Sequence, residues 1–381
     1  MSDLECIWIN DDILSQIKTS DNIFLYNLSD PYSLYPYLNT GHHQKDSRSI
    51  FYHLSQLETS CDITYIGCDI HLKTNYERIK EFLNLNLNIV CFPWFFLYDY
   101  FTFYKIESCK LKSETIPLKY NAIFLSGTKR LARYHIISEL SVYDTFRYSN
   151  FEGIYGNLNI DEKKPKVFKE ILDYSILDTD FVVSYYDYEI RDQEEKHLSG
   201  DDVMDQYLFN FKKFNSSIPK YFNVNLDRYI NPFKKIIHPY LNNIVPDEYL
   251  QSAVNFACES QTDISTHITE KTTKNFFYKK PFLTFACKGF YQFLTNNGFL
   301  LYDELFDYTF DDIDNYGQRL TRYLTECEKI LQMELTQLES IIKNFQYKLD
   351  YNYNICCEIV NTDTFKKYIK KYHVIYDSRN S

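Results

Sequence analysis

Ile63-Thr64-Tyr65-Ile66-Gly67-Cys68-Asp69-Ile70, the stretch 75–85, and Ile89-Val90-Cys91-Phe92 together decide the fold. The first run is apolar and β-branched. The second carries Tyr76, Ile79, Phe82 and Leu83 at helical spacing, and the third is a short apolar run closed by Pro93. Strand, helix, strand in that rhythm predicts a parallel sheet with helices on its faces. Upstream, residues 6–10 and 22–28 read as further buried strands. Residues 107–118 are polar and aperiodic, which reads as a linker. The pattern then restarts with a strand at 120–125, a turn at Ser126-Gly127, a helix over 131–143 and a strand at 181–186. A helix over 269–278 leads to a strand at 282–286, and a helix opened by Gly289 leads to 299–302. From 316 to 349 the apolar spacing is helical and continuous (Leu320, Leu324, Ile330, Leu331, Leu335, Leu338, Ile341, Ile342), and 363–372 reads as a short basic amphipathic helix. The expectation is an α/β protein with two Rossmann-like domains facing a cleft and a long C-terminal helix.

The chain has 381 residues, enough for two domains with real cores. Its 36 Tyr and 30 Phe accompany abundant Asn, Ile and Lys, so the aromatic excess reads as compositional bias rather than a carpet of sugar-stacking rings. A net charge of −11 excludes holding a polyanion by bulk charge. Lys163-Lys164-Pro165-Lys166 and the lysines at 366, 367, 370 and 371 read as solvated surface. Ten cysteines are scattered with no C-x-x-C pair, which suits neither a zinc knuckle nor a disulfide framework and points to a reducing cytoplasm. Met1-Ser2-Asp3-Leu4-Glu5 is not a signal peptide, and no run of roughly 18 apolar residues predicts a membrane span.

Walker A, G-x-G-x-x-G, H-E-x-x-H and G-x-S-x-G motifs are all absent. A phosphate would therefore be met by a helix N-terminus with Lys or Arg. Asp178-Thr179-Asp180 and Asp312-Ile313-Asp314 could each hold a divalent metal against a diphosphate, but in so acidic a chain such triplets arise by chance. No metal site and no cofactor are expected. The informative segment is 255–299. Glu259 closes an apolar strand-like run, Thr269-Glu270-Lys271 opens a helix, and Pro281 starts the next buried strand. A carboxylate at a helix start can accept hydrogen bonds from a ribose diol, and the neighbouring Lys271 with the first-turn amides can meet a phosphate. On chemistry alone the simpler reading is preferred, in which Glu270 is an ordinary helix-start acid and Lys271 a solvated surface residue.

The block 255–294 resembles the donor-binding region of fucosyltransferase-like enzymes of the two-Rossmann (GT-B) type, which read F-x-x-x-x-E-N-S, a spacer, then Y-V-T-E-K. Here E-S stands for E-N-S, and Ile268 precedes the T-E-K. The continuation Gly298-Phe299, Phe306-Asp307, Phe310-Asp311-Asp312 and Arg319 is similar to uncharacterised phage and giant-virus relatives of that group. Upstream, a strand, Ser126, then Arg130 and Arg133 before a helix match the start of the family's second domain. The resemblance covers residues 118–325 at the level of motifs. It implies a GT-B-like arrangement with an acceptor domain at 1–112, a nucleotide-sugar donor domain at 118–345 and a helical tail at 346–381. It implies an inverting, metal-independent glycosyltransferase that moves a sugar from a nucleotide sugar to a hydroxyl acceptor. The donor-binding residues would be Ser126, Arg130, Arg133, Glu259, Thr269, Glu270 and Lys271, with the cations stabilising the departing diphosphate. The first domain would supply the base, from Asp30, Asp69 or His71; Asp69 follows a strand, where α/β sites form. Gly41-His42-His43 is a further candidate feature.

Three other readings stay open. The acceptor could be a glycan or a hydroxymethylated base in viral DNA, and in the second case the site needs a basic groove that holds a flipped base. The chain could be a non-catalytic α/β interaction protein, with Glu270 and Lys271 pointing away from any shared pocket. It could be a metal-dependent transferase using Asp178 and Asp180. For a viral chain the compartment would be the host cytoplasm.

Overall fold

The computed structural model describes residues 2–5, 15, 17, 22–27, 50–55, 62–83, 86–98, 101, 116–125, 131–148, 245, 247–260, 262 and 266–380. The strands expected at 6–10 and 181–186 lie outside the described residues. So do Asp30, the His42-His43 pair, Ser126, Arg130, the Asp178–Asp180 triplet and the lysines of 163–166.

The fold is mixed α/β with two four-stranded parallel sheets. The first runs β1 (Ser2–Glu5), β2 (Asn22–Asn27), β3 (Asp62–Gly67) and β4 (Asn88–Cys91), in that spatial order. Helix α1 (Ile50–Ser55) precedes β3, and α2 (Leu72–Leu83) lies between β3 and β4, as the decisive stretch predicts. β2 and β3 bury their alternate positions and their C-terminal halves, which is why they read as apolar runs. β3 ends earlier than expected: Gly67 is its last residue, and Cys68–His71 forms a turn.

The second sheet contains β5 (Tyr120–Phe124), β6 (Phe146–Tyr148), β7 (Ser252–Cys258) and β8 (Phe282–Phe285), with spatial order β6-β5-β7-β8. Every residue of β7 is buried, the signature of a central strand covered on both faces. Helix α3 (Leu131–Leu140) follows β5, the short α4 (Asp247–Leu250) precedes β7, α5 (Glu270–Phe277) joins β7 to β8, and α6 (Phe290–Asn296) follows β8. α6 opens on Gly289 in the left-handed region, at φ 78°, a conformation that favours glycine. In this sheet the chain first steps outward from β5 to β6, then returns to the other side of β5 for β7 and β8. That reversal places a topological switch point between β5 and β7.

The single long helix expected over 316–349 is instead two: α7 (Tyr316–Leu331) and α8 (Leu335–Asn344), with α9 (Gln346–Asn361) after them. The break has a physical cause outside the helix. Asn121, at the start of β5, donates its amide to the carbonyls of Ile330 and Met333, and the Thr145 hydroxyl donates to Leu331 O. Those carbonyls would otherwise serve the next helical turn, so α7 stops where the sheet takes them. The tail helix α10 (Asp363–Asn380) is longer than expected and packs back against β1.

The aromatic residues do structural work. The segment following β4 wedges Phe92 against Phe365, Phe95 against Tyr372, and Trp94 against Phe293 and Phe299. Phe101 meets Phe277 and Tyr353. These contacts join elements from both sheets in one continuous buried cluster. No helix among the described residues is long and apolar enough to cross a membrane.

Candidate functional site

The C-terminal ends of β5 and β7, at the switch point, are where an open parallel sheet presents a ligand crevice. Glu259 follows β7 directly and is fully buried. One carboxylate oxygen accepts from the Thr269 N–H at 3.1 Å and the Thr272 hydroxyl at 2.6 Å; the other accepts from the Thr269 hydroxyl at 2.5 Å. Glu259 thus clamps the first turn of α5 onto the end of β7. Thr269 is the N-cap of α5, its hydroxyl accepting from Lys271 N, as the sequence T-E-K predicts for a helix start.

Lys271 and Glu270 sit at the surface of this clamp. The Lys271 ammonium donates to Glu270 at 2.8 Å, to the Thr269 hydroxyl at 3.1 Å and to the Ser260 hydroxyl at 3.4 Å. Arg133, fully buried in the first turn of α3, reaches the same Ser260 hydroxyl at 3.5 Å. Five of the seven expected donor residues (Arg133, Glu259, Thr269, Glu270 and Lys271) therefore form one linked network. Ser260, the serine of the E-S pair, bridges Arg133 to Lys271. Nothing in the sequence around this serine marks it for that role.

Burial alone would raise the Glu270 carboxyl, but the Lys271 ammonium and its hydrogen bond, with Lys274 one turn on, outweigh it and hold the pKa at about 2. A carboxyl held low in the folded state contributes stability that is fully present above its ordinary value of 4.5 and is lost as pH falls toward 2. Thermal melts should show the wild-type midpoint dropping more steeply across that window than the midpoint of Glu270→Gln. Parallel profiles would mean that the carboxyl is not held low.

The turn after β3 in the first sheet meets the second sheet beside this network. Ile70 N donates to Thr266 O at 2.9 Å, and Asp69 bridges His267 in antiparallel register. Asp69 is buried and accepts from the His71 N–H at 2.7 Å, so it shapes its own turn. The His71 imidazole lies 2.9 Å from Lys288 O, against the start of α6. Of the three first-domain candidates, the two among the described residues, Asp69 and His71, stand at the seam between the sheets, Asp69 next to the loop that leads into Thr269.

Arg319, singled out in the sequence motif, is buried beneath the site. Its guanidinium donates to Ile313 O, Asp314 O and Thr262 O, tying the β7–α5 loop to the turn before α7. Asp312 is exposed, and Asp314 pairs with Lys288 at 2.5 Å on the surface. A separate groove of about 620 Å³ is rich in carboxylates, but those acids serve the fold. Asp311 accepts from the N–H groups of Phe290, Tyr291 and Gln292 at the start of α6, Asp307 accepts from Thr309 N, and Glu326 pairs with Lys329. No group of three or more His, Cys, Asp or Glu side chains that could hold a metal occurs among the described residues.

The chain matches no protein-family model, no curated protein and no solved structure.

Proposed function

We propose that the chain is a nucleotide-sugar-dependent glycosyltransferase of GT-B-like arrangement, with its donor site at the ends of β5 and β7. The observation that carries this reading is the network Arg133–Ser260–Lys271–Glu270, locked by Glu259 at a topological switch point. A helix N-terminus in a positively charged setting suits a phosphate, and beside it stands a carboxylate with 26% of its side chain exposed that can accept from a ribose diol. A leaving nucleoside diphosphate develops charge as the glycosidic bond breaks, and fixed cations there stabilise the transition state. The return of α10 to β1 and the seam at Asp69 and His71 support a two-sheet enzyme, with the first sheet reaching the donor site from the other side. Asp69 or His71 would deprotonate the acceptor hydroxyl.

A thermal-shift screen of the full chain against nucleoside diphosphates and nucleotide sugars tests the reading. At a hundredfold excess over its Kd, a ligand adds about 2.7 kcal/mol to stability. At least one nucleotide family should raise the melting temperature, and a flat response to every one at millimolar concentration would remove the proposal.

A further inference from the structure

Lys271 is the lysine that the helix-start motif offers to a phosphate, yet its hydrogen-bonding capacity is already spent. An ammonium has three protons to donate, and those of Lys271 meet Thr269, Ser260 and Glu270. Lys274 is different. It lies one helical turn further along α5, beside both Glu270 and Lys271 on the same side of the helix. It is 7% exposed, and its ammonium has neither a hydrogen bond nor a salt bridge among the described residues. Its neighbour is the face of Tyr249, whose ring centroid lies 5.6 Å away. Tyr249 cannot turn to offer an acceptor, because its hydroxyl donates to Asn275 at 2.8 Å and its ring packs edge-on against Tyr278. Lys280, whose ammonium also faces the Tyr249 ring, donates to Ser252 O.

We infer that Lys274 is the cation that receives the anionic oxygens of the ligand, and that the site takes a nucleoside diphosphate, with Lys271 acting to position Glu270. The inference rests on the donor-site reading above. The Lys274 ammonium is not among the fully buried unpartnered polar atoms, so it keeps a path to solvent, and beside Glu270 it is open to an anion that would complete it. Burial draws the Lys274 pKa down to about 8 and Lys271 adds to that, while the Glu270 and Glu259 carboxylates offset part of it. The group is still charged at neutral pH. A nucleoside diphosphate matches both halves of the arrangement: phosphoryl oxygens for Lys274 and a ribose diol for the exposed side of Glu270. A bare nucleoside supplies only the second.

Calorimetric titration of the full chain with uridine, guanosine, cytidine and adenosine diphosphates, each beside its parent nucleoside, tests this. The wild type should prefer one diphosphate over its nucleoside. Lys274→Met should lose about tenfold or more of the diphosphate affinity, leave nucleoside affinity unchanged and melt at a higher temperature. Lys274→Arg should retain most of the preference. Lys274→Gln repeats the loss if the Met variant folds poorly. Equal diphosphate affinity in wild type and Lys274→Met would overturn the role of Lys274 and leave the donor site standing. Failure of the wild type to bind any of the diphosphates would overturn both.

Discussion

Glu259→Ala should lower the stability of the folded chain by about 3–5 kcal/mol. The carboxylate is fully buried and satisfies one backbone N–H and two hydroxyls of the α5 first turn. Alanine removes the carboxylate that all three donors share, and Thr272 keeps only a long 3.5 Å contact with the Thr284 hydroxyl. Leaving a buried polar group unsatisfied costs about 1–3 kcal/mol each, and partial relaxation brings the sum below the simple total. Glu259→Gln keeps one carbonyl acceptor, and the threonine hydroxyls can rotate to accept from its amide, so its loss should be about 1–2 kcal/mol. Urea denaturation, read as a shift in midpoint at constant slope, distinguishes the two. Equal midpoints for Glu259→Ala and wild type would mean that the β7–α5 clamp does not hold the fold.

Arg319→Ala is the second large effect, again about 3–5 kcal/mol. Its guanidinium is 1% exposed and stands over the rings of Phe285 and Tyr316 while donating to three carbonyls. Truncation opens a cavity and strips Thr262 O, Ile313 O and Asp314 O of a donor together. Arg319→Lys should recover only part of the loss, since an ammonium cannot reproduce a planar fork that reaches two loops. Because Thr262 belongs to the loop that carries Ser260 toward Lys271, the Ala variant should also weaken nucleotide binding. A Lys variant as stable as the wild type would show that charge, not the fork, is what the site needs.

Much of the fold was legible because parallel strands are buried on both faces and announce themselves as apolar runs. β2, β3, β4, β5 and β8 all fall within a few residues of where the sequence puts them. β6 escaped notice because three residues carry no periodicity, and β1 because Ser2-Asp3-Leu4-Glu5 is mostly polar and is a strand only through its pairing with β2. The break between α7 and α8 was illegible for a different reason. No glycine or proline marks the end of α7; its last carbonyls are taken by Asn121 and Thr145, some two hundred residues away.

The candidate site was read in part. The T-E-K capping pattern identified the α5 start, and the E-S pair identified the end of β7. The sequence could not show that Glu259 lies underneath the site as a clamp, because a strand-end acid reads alike whether it faces ligand or a neighbouring helix turn. Lys274 was within reach: its spacing of four from Glu270 puts it on the same helix side. What hid it was the expectation that a phosphate-binding lysine lies in the first turn itself.

The central claim is that the start of α5 binds a nucleotide, and calorimetric titration tests it most directly. The nucleoside diphosphate that raises the wild-type melting temperature should bind wild type, and should bind Glu270→Ala and Lys271→Ala about a hundredfold more weakly or not at all, with both variants still folded by circular dichroism. Equal binding by wild type and both variants would contradict the claim.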